Sequence, residues 1–372
     1  MRGATRRRVL FSFFIVTGAL LPAEGPDTRV VVFTPTTENN TYWPQVYKVL
    51  EAAAADLDIE LLGHEFPVED RYAKHTKGLE ILDGLEDIDG AIFMVAFGQT
   101  KPLLEATARR DIPVFIQGPL FETEPAEVRS GPRRRFENWI GLFSEAETEK
   151  GRRLAEILIE QAVEAGVAEG DESVRVVGIG GDRTWYGSHE RAEGLREAVR
   201  NERQALLKQV VPTTWTEAEG RRIARRLLER YPNTSVIWAA SDQLAIGAYR
   251  AAREAGLTVG EDVWIGGLDL SARGLRYVDE GKLTATVASP LLGYAEILVY
   301  LHDYIHGRDF APEVGAEISL GVHTATGETA EQYLSLYDSI DAIDFRSFSK
   351  LYDGGANGYD FSLEAYRDAV GR

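Results

Sequence analysis

The chain has 372 residues, of which 44% are hydrophobic and 27% are charged, and its formal net charge is −18. This length suggests two domains with a large buried core. The acidic balance argues against nucleic-acid binding, because phosphate contacts need a basic face. There is no cysteine, which excludes disulfides, thiolate chemistry and cysteine metal sites.

The N-terminal stretch predicts a secretory signal peptide over 1–23. Arginines at the start precede an apolar run over 9–21, and Pro22-Ala23 offers a small residue for cleavage. The run is short of the ~20 residues that a membrane span needs, which disfavours an uncleaved anchor. Because no cysteine is available for a lipid anchor, we expect the mature protein to be free in the periplasm, without membrane insertion.

Predicted strands and helices then alternate in a first series. Short β-branched and apolar runs predict parallel strands that are buried on both faces. The strands cover 29–34, 59–62, 90–96, 112–117 and 139–142, and helices begin near Pro44 and cover 74–85 and 103–110. This alternation is typical of a doubly wound α/β sheet.

A second series of similar design follows. Its strands cover 174–179, 206–211, 236–240 and 263–268, and its helices cover 149–165, 188–201, 217–230 and a stretch that Gly256 ends. Beyond Gly307 the pattern weakens, with one helix expected over 329–336 and irregular structure over 344–353. The chain therefore predicts two α/β units and a long tail.

No motif in the sequence supports a named reaction. The six histidines are scattered, and the HExxH, Gly-x-Ser-x-Gly and phosphate-loop patterns are all missing. The glycine-rich run at 178–182 lacks the third glycine of a dinucleotide site. Glu145 and Glu147 are interpreted as solvated charges at a helix start. We therefore predict no catalytic residues, no metal and no cofactor.

A polar or aromatic residue recurs after each strand, at the sheet edge where open α/β folds bind ligands. The candidates are Asn40, Tyr42, Trp43, Gln117, Trp185, Arg191, Trp215, Ser241, Asp242 and Asp269. Aromatic rings cover the C–H faces of a sugar, while Asp, Asn and Arg bond its hydroxyls. For each aromatic, core packing is the alternative; for Ser241 and Asp242 it is capping of a helix and its dipole. The shared location favours a binding cleft.

Four stretches make the chain resemble a known family. They are Ser241-Asp-Gln-Leu-Ala-Ile-Gly-Ala, Gly266-Gly-Leu-Asp269, Glu190-Arg-Ala-Glu-Gly-Leu and Gly281-Lys-Leu-Thr-Ala-Thr-Val. Together they resemble the type I periplasmic sugar-binding proteins, namely the ribose-binding protein and its relatives. These share their fold with the effector domains of lac-repressor-like regulators. The resemblance covers the chain from Arg29 to Gly307.

The resemblance implies ligand-binding roles for the candidates. Asn40, Tyr42 and Trp43 match a polar loop with two aromatics. Arg191 matches an arginine that bonds sugar hydroxyls, and Asp269 matches a hinge-side aspartate. Trp215 matches an aromatic of the second lobe, and Ser241 stands where many relatives have Asn.

Three departures separate the chain from its ribose-binding relatives. Gly118-Pro119 stands in place of an Asp-Arg pair, a residue within Ser144–Glu147 replaces an Asp-Asn pair, and Ser289 replaces a glutamine. The missing groups remove bonds worth roughly 1.5–3 kcal/mol each. Ribose itself is therefore not the expected ligand. The extra tryptophans predict a flatter, larger or less polar ligand, such as a modified sugar or a signalling polyol, which Ser289 also contacts.

The predicted fold is α/β, with two doubly wound three-layer lobes joined by three crossover strands near 142–144, 268–270 and 288–290. The first lobe is expected over 29–143 and 270–289, and the second over 144–269 and 290–345. An extension of unassigned role covers 346–372. Ligand is expected to bind between Trp43 and Trp215 as the lobes close by a hinge motion.

The favoured function is a monomeric periplasmic solute-binding protein that captures a sugar-like molecule and presents the closed form to an ABC-type permease. One alternative is a ligand-sensing subunit for a membrane receptor such as a histidine kinase. A second alternative is a secreted carbohydrate-active enzyme, which needs a carboxylate pair about 5–10 Å apart. Asp242 and Asp269 are the candidates for that pair.

Overall fold

The structure, a computed structural model, describes residues 28–36, 42–67, 71–94, 100–168, 173–183, 185–352 and 358–371. The predicted signal peptide and Asn40 lie outside these residues. Within them the chain forms two α/β lobes, each built on a six-stranded sheet. The predicted fold class is confirmed.

The first lobe contains a sheet in which all neighbouring strands are parallel. Its strands are β1 (Thr28–Thr36), β2 (Ile59–Pro67), β3 (Gly90–Phe93), β4 (Val114–Gln117), β5 (Trp139–Glu145) and β11 (Glu317–Leu320). Its helices are α1 (Tyr42–Asp56), α2 (Arg71–Gly84), α3 (Thr100–Ala108), α4 (Ala126–Arg129), α10 (Gly293–Ile305) and α11 (Ala311–Val314). The strand order is β11-β5-β4-β3-β1-β2.

The second lobe repeats this plan. Its strands are β6 (Val174–Gly180), β7 (Ala205–Pro212), β8 (Val236–Ala239), β9 (Trp264–Leu268), β10 (Ala285–Ala288) and β12 (His323–Thr326). Its helices are α5 (Glu147–Glu164), α6 (Tyr186–Asn201), α7 (Glu217–Arg230), α8 (Asp242–Glu254), α9 (Ala272–Asp279) and α12 (Ala330–Asp338). The strand order is β12-β10-β9-β8-β6-β7, with β12 antiparallel to β10.

The central strands are apolar because helices cover both faces of each sheet. Val31 and Ile92 in the first sheet and Ile237 and Ile265 in the second are 0% exposed. In both sheets the strand order reverses beside the first strand of the series, β1 or β6. Such a switch point leaves a crevice outside the carboxyl ends of the strands, which is where doubly wound folds bind ligands.

The chain passes between the lobes at places that differ in part from the prediction. It enters the second lobe after β5, returns after β10, crosses again between β11 and β12, and returns once more after α12. The last return is visible because α12 contacts α9, whereas the following 3₁₀ helices Ile340–Ala342 and Phe345–Phe348 contact α1. The predicted crossings near 142–144 and 288–290 lie beside two of these passages.

The predicted crossing near 268–270 is wrong. Strands β9 and β10 are parallel neighbours in one sheet, with Gly266 opposite Ala285. The backbone of Asp269 and Leu270 has φ values of +121° and +48°, which turn the chain into α9 instead of out of the lobe. Residues 270–289 therefore lie with the second sheet, and α10 and β11 lie with the first, opposite to the predicted assignment.

The tail packs onto the first lobe. Phe345 and Tyr366 are buried, and the tail ends in helix α13 (Leu363–Asp368). Asp303 on α10 is 0% exposed and accepts hydrogen bonds from Ser349 Oγ at 2.5 Å and Tyr359 OH at 2.8 Å. A buried carboxylate needs such donors to be tolerated, so this contact anchors the tail on α10.

Candidate functional site

Side chains from the carboxyl ends of both sheets meet in one buried charged network between the lobes. Arg191 on α6 is at its centre and is 7% exposed. It donates from Nε to Glu147 Oε2 at 2.6 Å and from Nη1 to Asp269 Oδ1 at 3.0 Å. Nη1 also donates to the carbonyl oxygen of Ala240 at 2.8 Å, just after β8. The arginine therefore ties the ends of β8 and β9 to the start of α5.

Close packing of α5 against α6 sets this geometry. A Cβ atom on Gly151 would lie 2.0 Å from the Arg191 carbonyl oxygen, and one on Gly194 would lie 2.0 Å from the Thr148 carbonyl oxygen. Only glycine allows the two helix backbones to approach this closely. As a result, Arg191 reaches Glu147 while both side chains remain sheltered from water.

Lys150 extends the network along α5. Its side chain is 1% exposed, and its Nζ donates to Glu147 Oε2 at 3.0 Å and to Glu145 Oε2. The interpretation of Glu145 and Glu147 as solvated charges is wrong, because their side chains are only 8% and 13% exposed. Burial is tolerated here because each carboxylate has a cationic partner.

Glu145 connects this network to the first lobe. Its Oε1 accepts from Tyr294 OH at 2.6 Å, Gln117 Nε2 at 3.2 Å and Tyr42 OH at 3.5 Å. Gln117 Nε2 also donates to Tyr294 OH at 3.1 Å. These partners fix the orientation of the Gln117 amide, whose Oε1 is buried and has no hydrogen-bond partner in the described part of the chain.

The predicted aromatics divide between cleft and core. Trp43 is 5% exposed and contacts Tyr42 and Tyr294 edge-on, with ring centroids 5.2 Å and 6.3 Å away. Trp215 has φ +68° and is partly buried, and the Arg191 guanidinium lies 5.9 Å from its ring centroid. Trp185 is the N-cap residue of α6, also partly buried. Trp215 thus lies beside Arg191 of the charged network, and Trp43 lies beside Tyr294.

Asp242 is enclosed by its own lobe. It is 1% exposed, and its carboxylate accepts from Ser271 N at 2.8 Å, Ser271 Oγ at 2.7 Å and Thr286 Oγ1 at 2.6 Å. A Cβ on Gly274 would lie 2.0 Å from Asp242 Oδ2, so no space remains on that side. Asp242 therefore joins α8 to α9 and β10.

Two predicted serines also make internal contacts. Ser241 caps α8, accepting from the backbone N–H of Leu244 at 3.3 Å. Ser289 is 2% exposed, and its Oγ donates to the Leu320 carbonyl oxygen at 3.3 Å. Ser289 thus connects two of the segments that pass between the lobes. Ligand contact by either serine remains a prediction.

The ionisation of the acids follows from burial and neighbours. Burial raises the pKa of Asp269 to about 7, against the opposing effect of the Arg191 guanidinium. Burial likewise raises the pKa of Asp242 to about 6. For Glu147 burial acts in the same sense, but Arg191 and Lys150 outweigh it and lower its pKa to about 2. Of these three acids, Asp269 has the pKa nearest to neutral pH. Its φ of +121° also indicates a strained backbone.

Sequence reasoning missed four members of the network, namely Glu145, Glu147, Lys150 and Tyr294. A signal for two of them was present. Glu147 and Lys150 fall on the same helical stripe as the buried Leu154 and Leu158, at the spacing of one helix face. Charged residues on an apolar stripe point inward and need partners. The described residues contain no group of three or more His, Asp or Glu side chains placed to hold a metal ion.

Comparison with known proteins supports a family assignment. The family model described as "Periplasmic binding protein domain" matches residues 30–307. A ribose import binding protein of Escherichia coli is 32% identical over 120 residues, and a D-allose-binding periplasmic protein of the same organism is 31% identical over 121 residues. These alignments span 32% of this chain and only 38% and 37% of the two relatives.

Solved structures extend the likeness over most of the chain. A periplasmic sugar-binding protein from Pseudomonas fluorescens superposes with a TM-score of 0.78 at 26% identity, covering 91% of this chain and 99% of that protein. A solute-binding protein from Bacillus halodurans with bound myo-inositol has the same fold, with a TM-score of 0.63 at 16% identity over 84% of this chain and 99% of its own. Since the family model spans well over half of the chain, this protein belongs to the periplasmic binding protein domain family.

Proposed function

We propose that this protein is a periplasmic solute-binding protein that captures a sugar-like small molecule between its lobes and presents the closed form to an ABC-type permease. The observation that carries the proposal is the meeting of polar side chains from both lobes at the carboxyl ends of the two sheets. Tyr42 and Gln117 come from the first lobe, and Arg191 and Asp269 come from the second.

The relatives support a sugar as the ligand and the periplasm as the location of this protein. The curated relatives bind ribose and D-allose by name, and their names place them in import or in the periplasm. In the described residues no helix combines the length and the apolar character that crossing a bilayer requires. The aromatic rings of Tyr42 and Trp215, with the carboxylate of Asp269, suit the C–H faces and hydroxyls of a sugar.

Binding without turnover is the interpretation that the acids favour. A glycosidase needs two carboxyl groups facing one sugar. Of the two predicted candidates, Asp242 accepts hydrogen bonds from Ser271 and Thr286 with both carboxylate oxygens, inside its own lobe. Asp269 differs, because its side chain is 14% exposed and Arg191 binds one of its oxygens.

The test is a ligand screen with two matched variants. The purified protein is followed by thermal melting and tryptophan fluorescence against sugars, polyols, sugar acids and nucleosides. A ligand that binds only the folded state at 100 times its dissociation constant should stabilise it by about 2.7 kcal/mol. Trp215→Leu should lose binding, whereas Tyr352→Leu, at a side chain that is 49% exposed on the tail, should retain it.

Three outcomes are decisive. One saturable ligand, unchanged after incubation and lost in Trp215→Leu alone, supports the proposal. A ligand that is consumed supports an enzyme instead. No stabilisation by any compound contradicts the sugar-binding function.

A further inference from the structure

The cationic hydrogen-bond donors of the network, Arg191 and Lys150, are almost fully used by partners among the described residues. Arg191 has five N–H groups. One on Nε and one on Nη2 donate to Glu147, and two on Nη1 donate to Ala240 and Asp269. Lys150 has three N–H groups, two of which face Glu145 and Glu147. A single guanidinium N–H therefore remains available to a ligand from Arg191.

The charges of the same network do not balance. Glu145, Glu147 and Asp269 are three carboxylates, whereas Arg191 and Lys150 are two cations. One carboxylate charge is thus left over when all three are ionised. Since like charges at close range repel strongly in a poorly solvated site, the network is completed either by a proton or by a further cation.

The unsatisfied polar atoms are acceptors. Gln117 Oε1 is buried and has no hydrogen-bond partner among the described residues. Asp269 uses Oδ1 for Arg191, and within the same part of the chain no hydrogen bond reaches its Oδ2. The charge of Asp269 is among the causes that raise the pKa of Tyr42 well above its ordinary value, so Asp269 lies near the first lobe.

We propose that the natural ligand carries a protonated amine, as an amino sugar or an aminated polyol does, and that its ammonium group pairs with Asp269. This inference rests on the proposed sugar-binding function and narrows its ligand class. An ammonium group supplies up to three donors and no acceptor, which complements a cleft short of donors and rich in acceptors. A hydroxyl of the same molecule donates to Gln117 Oε1.

The charges and hydrogen-bond donors of the network also disfavour sugar acids as ligands. A ligand carboxylate would be repelled by three protein carboxylates, and Arg191 would offer it only one N–H that has no acceptor among the described residues. A neutral sugar does not require an extra negative charge, because a hydroxyl both donates and accepts. The excess charge therefore selects for a cation.

Proton release gives an independent signature. The groups facing Asp269 are Arg191 from α6, Asp242 from α8, Lys150 from α5 and Tyr42 from α1. Burial raises the pKa of Asp269 to about 7, so at acidic pH an ammonium ligand must displace a proton. Affinity for the amine should therefore rise from about pH 5.5 to about pH 7, by up to about tenfold per pH unit below the pKa of Asp269.

The experiment compares matched ligands by isothermal titration calorimetry. Glucose, galactose, mannose and ribose are each tested in hydroxyl, amino and carboxyl forms. We expect the amino form of one skeleton to bind at least tenfold more tightly than its hydroxyl form, with the stated pH dependence. Asp269→Asn should remove that advantage, so that the amino form binds no more tightly than the hydroxyl form in the variant. Asp279→Asn, at an exposed acid of α9, is the control and should change neither.

The outcomes separate this inference from the function beneath it. Equal or tighter binding of the hydroxyl form, tightest binding of the carboxyl form, or equal losses in Asp269→Asn overturn the inference but leave sugar binding intact. No binding of any form overturns both. The thermal melting of Asp269→Asn checks that the variant is folded, and the pH profile of the unmodified protein tests the inference without any substitution.

Discussion

Replacing Lys150 with methionine should destabilise the protein strongly, although Lys150 lies on a helix surrounded by charged residues. Its side chain is 1% exposed and neutralises Glu145 and Glu147, which are 8% and 13% exposed. Removing one partner of a buried ion pair costs about 3–5 kcal/mol, because the remaining charge stays buried. Glu147 keeps Arg191 and Glu145 keeps Tyr294, so we expect the lower end, about 3 kcal/mol.

Urea denaturation with a double-mutant cycle measures this effect. Lys150→Met combined with Glu145→Gln should lose less than the sum of the single changes, with a coupling energy of roughly 1–2 kcal/mol. The matched control is Lys282→Met, where a lysine pairs with Glu280 at the surface, and it should leave the midpoint unchanged. A loss below about 0.5 kcal/mol for Lys150→Met, typical of a surface position, would refute the buried network.

The dependence of the unfolding free energy on pH below about 4.5 tests the same network independently. Glu147 has a folded-state pKa of about 2 against an ordinary value of 4.5. It therefore stabilises the fold above about pH 4.5, and this contribution is lost as the pH falls towards 2. Lys150→Met removes one of its two cationic neighbours and so raises the folded-state pKa of Glu147. The loss should therefore be smaller in the variant and complete at a higher pH.

Three further predictions concern single carboxylates. Asp242→Ala should lower the unfolding free energy, measured in urea, by roughly 2–3 kcal/mol, because Ser271 and Thr286 lose their acceptor. The dissociation constant of the ligand should change less than threefold. A large loss of affinity in a fully stable variant would place Asp242 in the cleft instead. Asp303→Ala should speed limited proteolysis within 344–371, because Ser349 and Tyr359 lose their acceptor, and an unchanged cleavage rate would contradict this anchor. Asp269 has a folded-state pKa of about 7 against an ordinary 3.8, so the unfolding free energy should fall as the pH rises from about 4 to about 7. Asp269→Asn should reduce that slope. A pH-independent unfolding free energy in the unmodified protein would contradict the raised pKa of Asp269.

Local sequence was enough to predict the central strands. The runs at 29–34, 174–179 and 263–268 became β1, β6 and β9 with bounds shifted by at most two residues. These strands are buried on both faces, so their composition depends little on the neighbouring strand. The helix start at Ser241 was equally readable, because a serine cap acts within one turn.

Lobe membership was not readable, since it depends on which sheet accepts a strand. β11 and β12 are separated by two residues, yet they join different sheets. β10 is only four residues long and follows α9 as an ordinary crossover within the second sheet. No periodicity within such short strands identifies the partner strand, which explains the wrong assignment of 270–289.

Two residues of the charged network, Arg191 and Asp269, were singled out from the sequence, whereas Lys150 was missed. Arg191 and Asp269 were found because they follow strand ends or match a family position, and the structure brings them together. Lys150 was missed because a lysine at a helix start is usually solvated. Its burial depends on the contact between α5 and α6 at Gly151 and Gly194, which is a tertiary feature.

The position of Glu145 connects the charged network to hinge motion. Glu145 ends β5, on the first passage between the lobes, and receives Tyr42, Gln117 and Tyr294 from one lobe and Lys150 from the other. In the proposed hinge motion, contacts on a crossing segment lie close to the rotation axis, so opening changes their lengths least. Arg191 and Asp269 lie within the second lobe and move together. Opening should therefore separate Asp269 from Tyr42 while the Glu145 contacts persist, which leaves the acceptor-rich face of the second lobe formed before the ligand arrives.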